Sequence, residues 1–224
     1  MQKAIKELAS YLEDHGCPIE NITQTSIDMS PAFISGISKH LPNARITFDK
    51  FHIIGHASAA VDKLRRIEQK TDKSLKGMRW TLLKDTAKLK PEAAADLNAL
   101  LAKMTVKRTA RAWSYKEQLR EILERKQINV VRAMLERWCL CVMRSKVEPM
   151  KEVARMVRAH LEGIVAWAQT RQTNGFLEAI NGLFQAPKRR ARGFTRLSTI
   201  RTVIFLIAGK LDFHAINLHA GQPS

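Results

Sequence analysis

The sequence has few cysteines and a deficit of acidic residues. Its three cysteines are Cys17, Cys139 and Cys141, and a sparse, odd set of this kind is typical of a reducing, intracellular setting. Cys139 and Cys141 are too close together for one half of a zinc finger, and no matching second pair exists. We therefore predict that all three cysteines are structural.

Segments that would direct the chain to a membrane are also missing. No apolar run approaches the ~18 residues needed to span a bilayer, and Met1–Leu12 carries charges where a signal peptide is apolar. We expect a cytoplasmic protein that has no membrane partner and no small-molecule substrate.

The charge balance is strongly one-sided. Lys and Arg number 38 against 21 Asp and Glu, which gives a formal net charge of +17. Such an excess favours a polyanionic partner, most often nucleic acid, with an anionic membrane surface as the alternative. The hydrophobic fraction of 45% is ordinary for a folded protein.

Acidic residues are scarcest near the C-terminus, where Gly163–Leu211 contains Glu178 and no other acid. The pattern predicts a helix over Asn174–Gln185, with Glu178 on a stripe of amides opposite the apolar face. One interpretation is a solvated polar face followed by a basic loop. The other is a functional carboxylate within a basic surface. The basic residues of the segment are Arg171, Lys188, Arg189, Arg190, Arg192, Arg196, Arg201 and Lys210.

The N-terminal part repeats the order strand, Asp, helix. A helical crossover between two strands implies that the strands are parallel, so Asp28 and Asp49 are expected at the same edge of the sheet. An acid at a strand end can also simply cap the next helix. Ser30 is predicted to cap the first of these helices. The predicted elements are strand Asn21–Ile27, helix Pro31–His40, strand Ala44–Phe48 and a helix from about Phe51 to Gln69.

The rest of the chain predicts helices only, because apolar residues recur at intervals of three and four. Trp113, Trp138 and Trp167 are expected to be core residues. The predicted helices after the N-terminal one, Ala4–Leu12, and the strand region are Trp80–Leu83, Glu92–Met104, Arg108–Arg125, Ile128–Met143, Val147–Ala168 and Arg196–Leu211.

Four blocks of sequence share one pattern of resemblance. They are SIDMSPAF (Ser26–Phe33), LPNARITFDKFH (Leu41–His52), RWTLLK (Arg79–Lys84) and TNGFLEAINGLFQAPKRRARGF (Thr173–Phe194). Together they resemble the ISL3-type insertion-sequence transposases, which are bacterial DDE transposases with an RNase H-like core. The resemblance implies an α/β fold that is predominantly helical, with a partial RNase H-like core of short parallel strands and a large all-helical insertion.

The resemblance implies a catalytic site in which three carboxylates hold two Mg²⁺ (or Mn²⁺) ions. Asp28 would be the second acid and Glu178 the third, while Asp49 and His52 would match a (C/D)xxH motif downstream of the second acid. The residues alone do not rank Asp28 against Asp49. His52 and His56 lie one turn apart, and packed histidines are favoured over a metal pair there.

The implied partner is DNA, both the element ends and the target, with self-association left open and a nucleoid-associated location. Asn174 and Asn181 would orient Glu178 or contact the DNA backbone. The proposed phosphate contacts are Lys188, Arg189, Arg190, Arg192, Arg196 and Arg201.

The resemblance also implies a division of the chain. Residues 1–56 would form the partial RNase H-like core and residues 57–170 the helical insertion. Residues 171–214 would be C-terminal core helices with the third acid and a basic segment, and residues 215–224 a tail.

The family's zinc-binding segment, helix-turn-helix and first catalytic Asp find no counterpart here. We therefore expect the C-terminal part of a truncated transposase that is inactive alone. The alternatives are a non-catalytic, sequence-independent nucleic-acid-binding helical protein and a helical scaffold for an acidic protein.

Overall fold

The computed structural model describes residues 2–103, 108–171, 182–185, 187–189, 193 and 196–208. They belong to two units, Met1–Thr173 and Asn174–Ser224. The second unit contains α10 (Leu197–Ala208). The elements of the first unit are α1 (Gln2–Asp14), β1 (Gln24–Ile27), α2 (Pro31–His40), β2 (Arg45–Phe48), α3 (Lys50–Glu68), α4 (Arg79–Leu83), α5 (Pro91–Lys103), α6 (Arg108–Glu124), α7 (Ile128–Met143), α8 (Glu148–Ala159) and α9 (Leu161–Thr170).

The predicted pair of parallel strands is confirmed. β1 and β2 pair in parallel from Gln24↔Arg45 to Ile27↔Phe48, and helices make up most of the remaining described chain. The fold is therefore a predominantly helical α/β fold. β1 begins three residues later than predicted, because Asn21 donates its backbone N–H to the Pro18 carbonyl in a short 3₁₀ turn.

The predicted single helix Val147–Ala168 is wrong: the structure has two helices, α8 and α9. The helix is interrupted at His160, whose backbone angles, φ −118° and ψ 20°, are not helical. Because of this break, α8 packs along α3 and α9 packs on strand β2. The other predicted helix bounds agree within about two residues at the ends that the structure describes, and α2 and α7 match at both ends.

Helix α9 lies in the interior, and each residue from Gly163 to Ala168 is buried. Gly163 permits its close approach to β2, since a Cβ atom there would lie 2.5 Å from the Phe48 ring and 3.2 Å from the Ile46 carbonyl. The His160 ring meets Phe48 edge-on at 5.0 Å between centroids. Burial lowers the pKa of His160, which favours the neutral imidazole at this contact.

The main core lies where α3 packs against α6 and α8, and it extends to α7 and α9. Trp138 and Trp167 are buried as predicted, while Trp113 is half-buried against the same core. Cys139 is buried, and burial raises the pKa of its thiol to about 11, so this thiol is inert. None of the described helices is long and apolar enough to cross a bilayer.

Two helical glycines provide a matched test of the contact between α9 and β2. Gly163→Ala should lower the free energy of unfolding by about 1–3 kcal/mol, because the added methyl overlaps Phe48. Gly55→Ala should raise it by about 0.4–1 kcal/mol, because its Cβ meets nothing within 4 Å and alanine favours the helix. Equilibrium urea unfolding measures both, and equal effects would contradict the packing described here.

Candidate active site

Asp28 and Asp49 directly follow the last pair of the parallel sheet, Ile27 and Phe48. Neighbouring strands lie about 4.8 Å apart, so these two aspartates leave the same edge of the sheet side by side. This confirms the expectation that both lie at one edge, where α/β sheets often carry their chemistry.

Asp28 is half-buried, and its Oδ1 accepts the backbone N–H of Ser30 at 3.0 Å. The predicted N-cap position of Ser30 before α2 is confirmed, but its side chain makes no cap hydrogen bond. The Asp28 carboxylate, and not the Ser30 hydroxyl, stabilises the turn before α2. Its second carboxylate oxygen has no hydrogen-bond partner among the described residues.

Asp49 is almost fully buried, with 1% of its surface exposed. It is the N-cap of α3, and its Oδ1 accepts the backbone N–H of Phe51 at 2.9 Å. The capping interpretation of Asp49 is therefore confirmed. Burial makes it less accessible to solvent than Asp28.

The two histidines follow Asp49 on α3. His52 is half-buried and donates its backbone N–H to the Asp49 carbonyl at 3.2 Å, while His56 is exposed one turn further on. Within the described parts of the chain, no three His, Cys, Asp or Glu side chains are grouped closely enough to hold a metal ion.

A buried tryptophan links the start of α3 to the end of α9. The Lys50 ammonium lies 5.3 Å from the centre of the Trp167 ring, and the Arg171 guanidinium lies 4.6 Å from it. Lys50 also pairs with Glu124 at the end of α6, with 2.6 Å between Nζ and Oε1. The residue next to Asp49 is therefore tied to both α6 and α9.

Arg171 fixes the point at which the chain leaves α9. It is the C-cap of α9 with a left-handed φ of 55°, which is uncommon for a residue other than glycine. Its guanidinium donates to the carbonyls of Leu123, Glu124 and Arg125 at 3.0, 2.9 and 2.7 Å. These bonds satisfy the open carboxyl end of α6.

Part of the predicted site lies outside the described residues, namely Asn174, Glu178, Asn181, Arg190 and Arg192. The other predicted phosphate contacts, Lys188, Arg189, Arg196 and Arg201, are exposed. Arg189 Nε donates to the Gln185 carbonyl at 3.3 Å, and the Arg201 guanidinium lies 5.9 Å from the Phe205 ring centre.

Comparison with known proteins identifies the family. The family described as "Transposase", the ISL3 group of DDE transposases, matches residues 1–204 of the 224. The chain belongs to the ISL3-type transposase family. The four sequence blocks that resemble this family all lie inside the matched range.

Among curated proteins, this ISL3-type chain is similar to the transposase for insertion sequence element IS1001 of Bordetella parapertussis. The two are 24% identical over 183 residues, which cover 78% of this chain and 45% of the relative. The chain therefore spans less than half of the relative's length. No solved structure matches.

The sequence patterns of this ISL3-type chain did not indicate the roles of Lys50 and Arg171. The Lys50 partners, Glu124 and Trp167, are more than 70 residues from it along the sequence, so no local spacing could have indicated those contacts. Arg171 lies one helical turn after Trp167, and that spacing was a signal that the sequence reasoning did not use. Trp167 was expected to be a core residue, which it is, but not to be flanked by two cations.

The cap role of Asp49 can be separated from its charge. Asp49→Ala should lower the free energy of unfolding by about 1–2 kcal/mol, because the Phe51 N–H loses its acceptor. Asp49→Asn should keep most of that stability, since an amide oxygen accepts the same bond. Urea unfolding measures both variants against Asp96→Ala, an exposed acid within α5. Equal losses in the Ala and Asn variants would contradict the cap role.

Proposed function

We propose that the chain carries two of the three metal-binding acids of a DDE transposase, Asp28 and Glu178. That transposase would cleave insertion-sequence DNA and join it to a target. The observation that carries the proposal is the parallel strand pair, which has Asp28 and Asp49 side by side at one sheet edge. Membership of the ISL3-type family supplies the chemistry expected at that edge.

The donor set fits the metal ions that this chemistry requires. When bound, two Mg²⁺ or Mn²⁺ ions activate the attacking oxygen and stabilise the leaving oxygen of a phosphodiester. Both ions favour carboxylate oxygens. Asp28 is half-exposed and has one oxygen without a hydrogen bond among the described residues, whereas buried Asp49 caps α3. We therefore assign Asp28 as the metal ligand. We propose that Asp49 and His52 have a structural role at the carboxyl end of β2.

Chain connectivity is compatible with this pairing. Glu178 comes seven positions after Arg171 in the sequence, and seven extended residues span roughly 25 Å at most. Arg171 and Lys50 contact the same tryptophan ring, and Lys50 is next to Asp49. Arg171, the last described residue before Glu178, is thus tied to the beginning of α3.

The proposed partner is DNA, and the chain would bind both the ends of the insertion sequence and the target site. The proposed location is the cytoplasm. The exposed basic residues after Glu178 would neutralise phosphates without reading sequence, and Asn174 and Asn181 would orient Glu178. The first acid is not among the residues assigned here. Strand transfer is accordingly proposed for a protein that contains the first acid as well.

A second candidate function is nucleic-acid binding without catalysis. It is favoured by the exposure of Lys188, Arg189, Arg196 and Arg201. Metal binding separates the two functions, because binding alone needs no cation between Asp28 and Glu178.

If Asp28 and Glu178 hold the same ion, their substitutions should not be additive. Asp28→Asn and Glu178→Gln should each weaken Mn²⁺ binding to the 224-residue chain. The double variant should lose little more than either one, a coupling on the order of 1 kcal/mol or more. Titration followed by the electron paramagnetic resonance of free Mn²⁺ measures this.

The matched control for that titration is Glu162→Gln, an exposed acid of α9 that pairs with Arg132. It should leave Mn²⁺ affinity unchanged. Additive losses from Asp28 and Glu178, or no loss from Glu178→Gln, would contradict a shared ion and leave nucleic-acid binding without catalysis.

The basic segment should bind the DNA backbone with little sequence preference. Changing Lys188, Arg189, Arg190 and Arg192 together to Ala should flatten the slope of log K against log salt by about 0.9 for each lost duplex phosphate contact. Fluorescence anisotropy with a labelled duplex at several salt concentrations measures the slope. An unchanged slope would mean that this segment does not contact DNA.

A further inference from the structure

Trp80 is the most exposed large apolar side chain among the described residues, with 65% of its surface open to solvent. It lies on α4, and the helix that carries it is firmly held. Leu82 of the same helix is buried in the core. The fully buried Lys116 donates from Nζ to the Leu82 carbonyl at 2.6 Å. Trp80 is therefore presented outward by an anchored helix.

Two exposed arginines lie beside this ring, and one buried carboxylate positions both. Asp62 Oδ2 lies 3.3 Å from Arg66 Nε and 3.8 Å from Arg79 Nε, although the side chains of these arginines are 67% and 53% exposed. The Arg79 guanidinium lies 4.9 Å from the centre of the Trp80 ring. The buried Arg65 donates a hydrogen bond from Nε to the other Asp62 oxygen, Oδ1, at 2.8 Å. We call Arg66, Arg79 and Trp80 the Trp80 surface.

Apart from Asp62, the acids close in sequence to the Trp80 surface accept backbone N–H groups. Residues 62–85 contain eight Lys or Arg residues and four acids, Asp62, Glu68, Asp72 and Asp85. The Glu68 carboxylate accepts the backbone N–H groups of Arg108 and Thr109 at 3.0 Å each. Asp72 Oδ1 accepts the N–H of Ser74 at 2.9 Å. This part of the first unit is accordingly basic around an open aromatic ring.

The Trp80 surface is continuous with the sheet edge along α3. His52, His56, Lys63 and Arg66 follow one another at i, i+4, i+11 and i+14, which is one stripe of a helix. On this stripe, Lys63 lies 3.9 Å from Glu152 and Arg66 lies 3.3 Å from Asp62. The 17 residues from Asp49 to Arg66 correspond to about 25 Å of helix, a length that about seven base steps of DNA would cover.

We infer that the Trp80 surface is a second nucleic-acid contact, about 25 Å along α3 from the strand-end aspartates. Arg66 and Arg79 bind backbone phosphates, and Trp80 stacks on an unpaired base. The inference rests on the proposed function for the choice of DNA as the polyanion. Base stacking on an exposed aromatic ring beside arginines is how proteins hold single strands. A docking site for an apolar protein surface would have an apolar rim, whereas the rim here is arginine.

The test compares single-stranded and blunt duplex DNA with the 224-residue chain. The probes are a labelled 20-nucleotide oligothymidine and a labelled blunt 20-base-pair duplex, with anisotropy as the readout. Trp80→Ala should weaken oligothymidine binding about 5- to 100-fold and duplex binding much less, while Trp80→Phe keeps most of the affinity. Arg66→Ala and Arg79→Ala should each reduce the single-strand salt slope by about 0.7, which Trp80→Ala leaves unchanged.

The controls are Tyr11→Ala, an exposed aromatic residue of α1, and Arg137→Ala, an exposed arginine of α7, both of which should bind like the unaltered chain. Equal binding of oligothymidine by Trp80→Ala and the unaltered chain would overturn the inference, as would equal losses on both probes. If Trp80→Ala loses polyglutamate binding but keeps oligothymidine, the surface fits an acidic protein instead. If the unaltered chain binds neither DNA, the proposed function itself fails.

Discussion

The contact between Gly163 and strand β2 is the constraint on which the rest of the first unit depends. A side chain at position 163 would overlap Phe48, so only a glycine lets α9 lie this close to the sheet. A two-stranded sheet is marginal by itself, and the buried α9 gives it a face to pack on. With β2 held, Asp49 is fixed as the cap of α3, and α3 packs on α6 and α8. The positions of Asp28 and Asp49 at the strand ends therefore depend on the contact between Gly163 and β2.

Seven acids of the first unit are buried or half-buried, and several of them stabilise the start of a helical segment. Asp49, Asp72 and Asp85 accept backbone N–H groups before helical turns, and Glu68 accepts two at the start of α6. Asp62 is buried beneath three arginines. Such acids stabilise helix starts while leaving many lysines and arginines towards solvent.

Local sequence patterns correctly predicted those elements of the fold that depend on residues close together in the chain. The strand–Asp–helix repeat, with Pro31 at the start of α2, was enough to predict the parallel pair and both aspartates at one edge. The break at His160 was missed because apolar spacing runs evenly through it, and the ring contact of His160 with Phe48 is distant in the sequence. The Lys50–Trp167 contact and the Arg79–Asp62 pair join residues that are not neighbours on one helix and that only tertiary folding brings together. The RWTLLK block resembled the family, but its sequence gave no indication that Trp80 points outward while Leu82 is buried.

The proposed function requires that Asp28 and Glu178, 150 positions apart in the sequence, bind the same metal ion. Anomalous diffraction from crystals of the 224-residue chain grown with Mn²⁺ tests this requirement. The expected result is a manganese peak at the carboxyl end of β1, with one carboxylate oxygen of Asp28 and one of Glu178 each about 2.1 Å from it. A peak bound by Asp28 without Glu178, or by Asp49 in place of Asp28, would contradict the proposed shared ion.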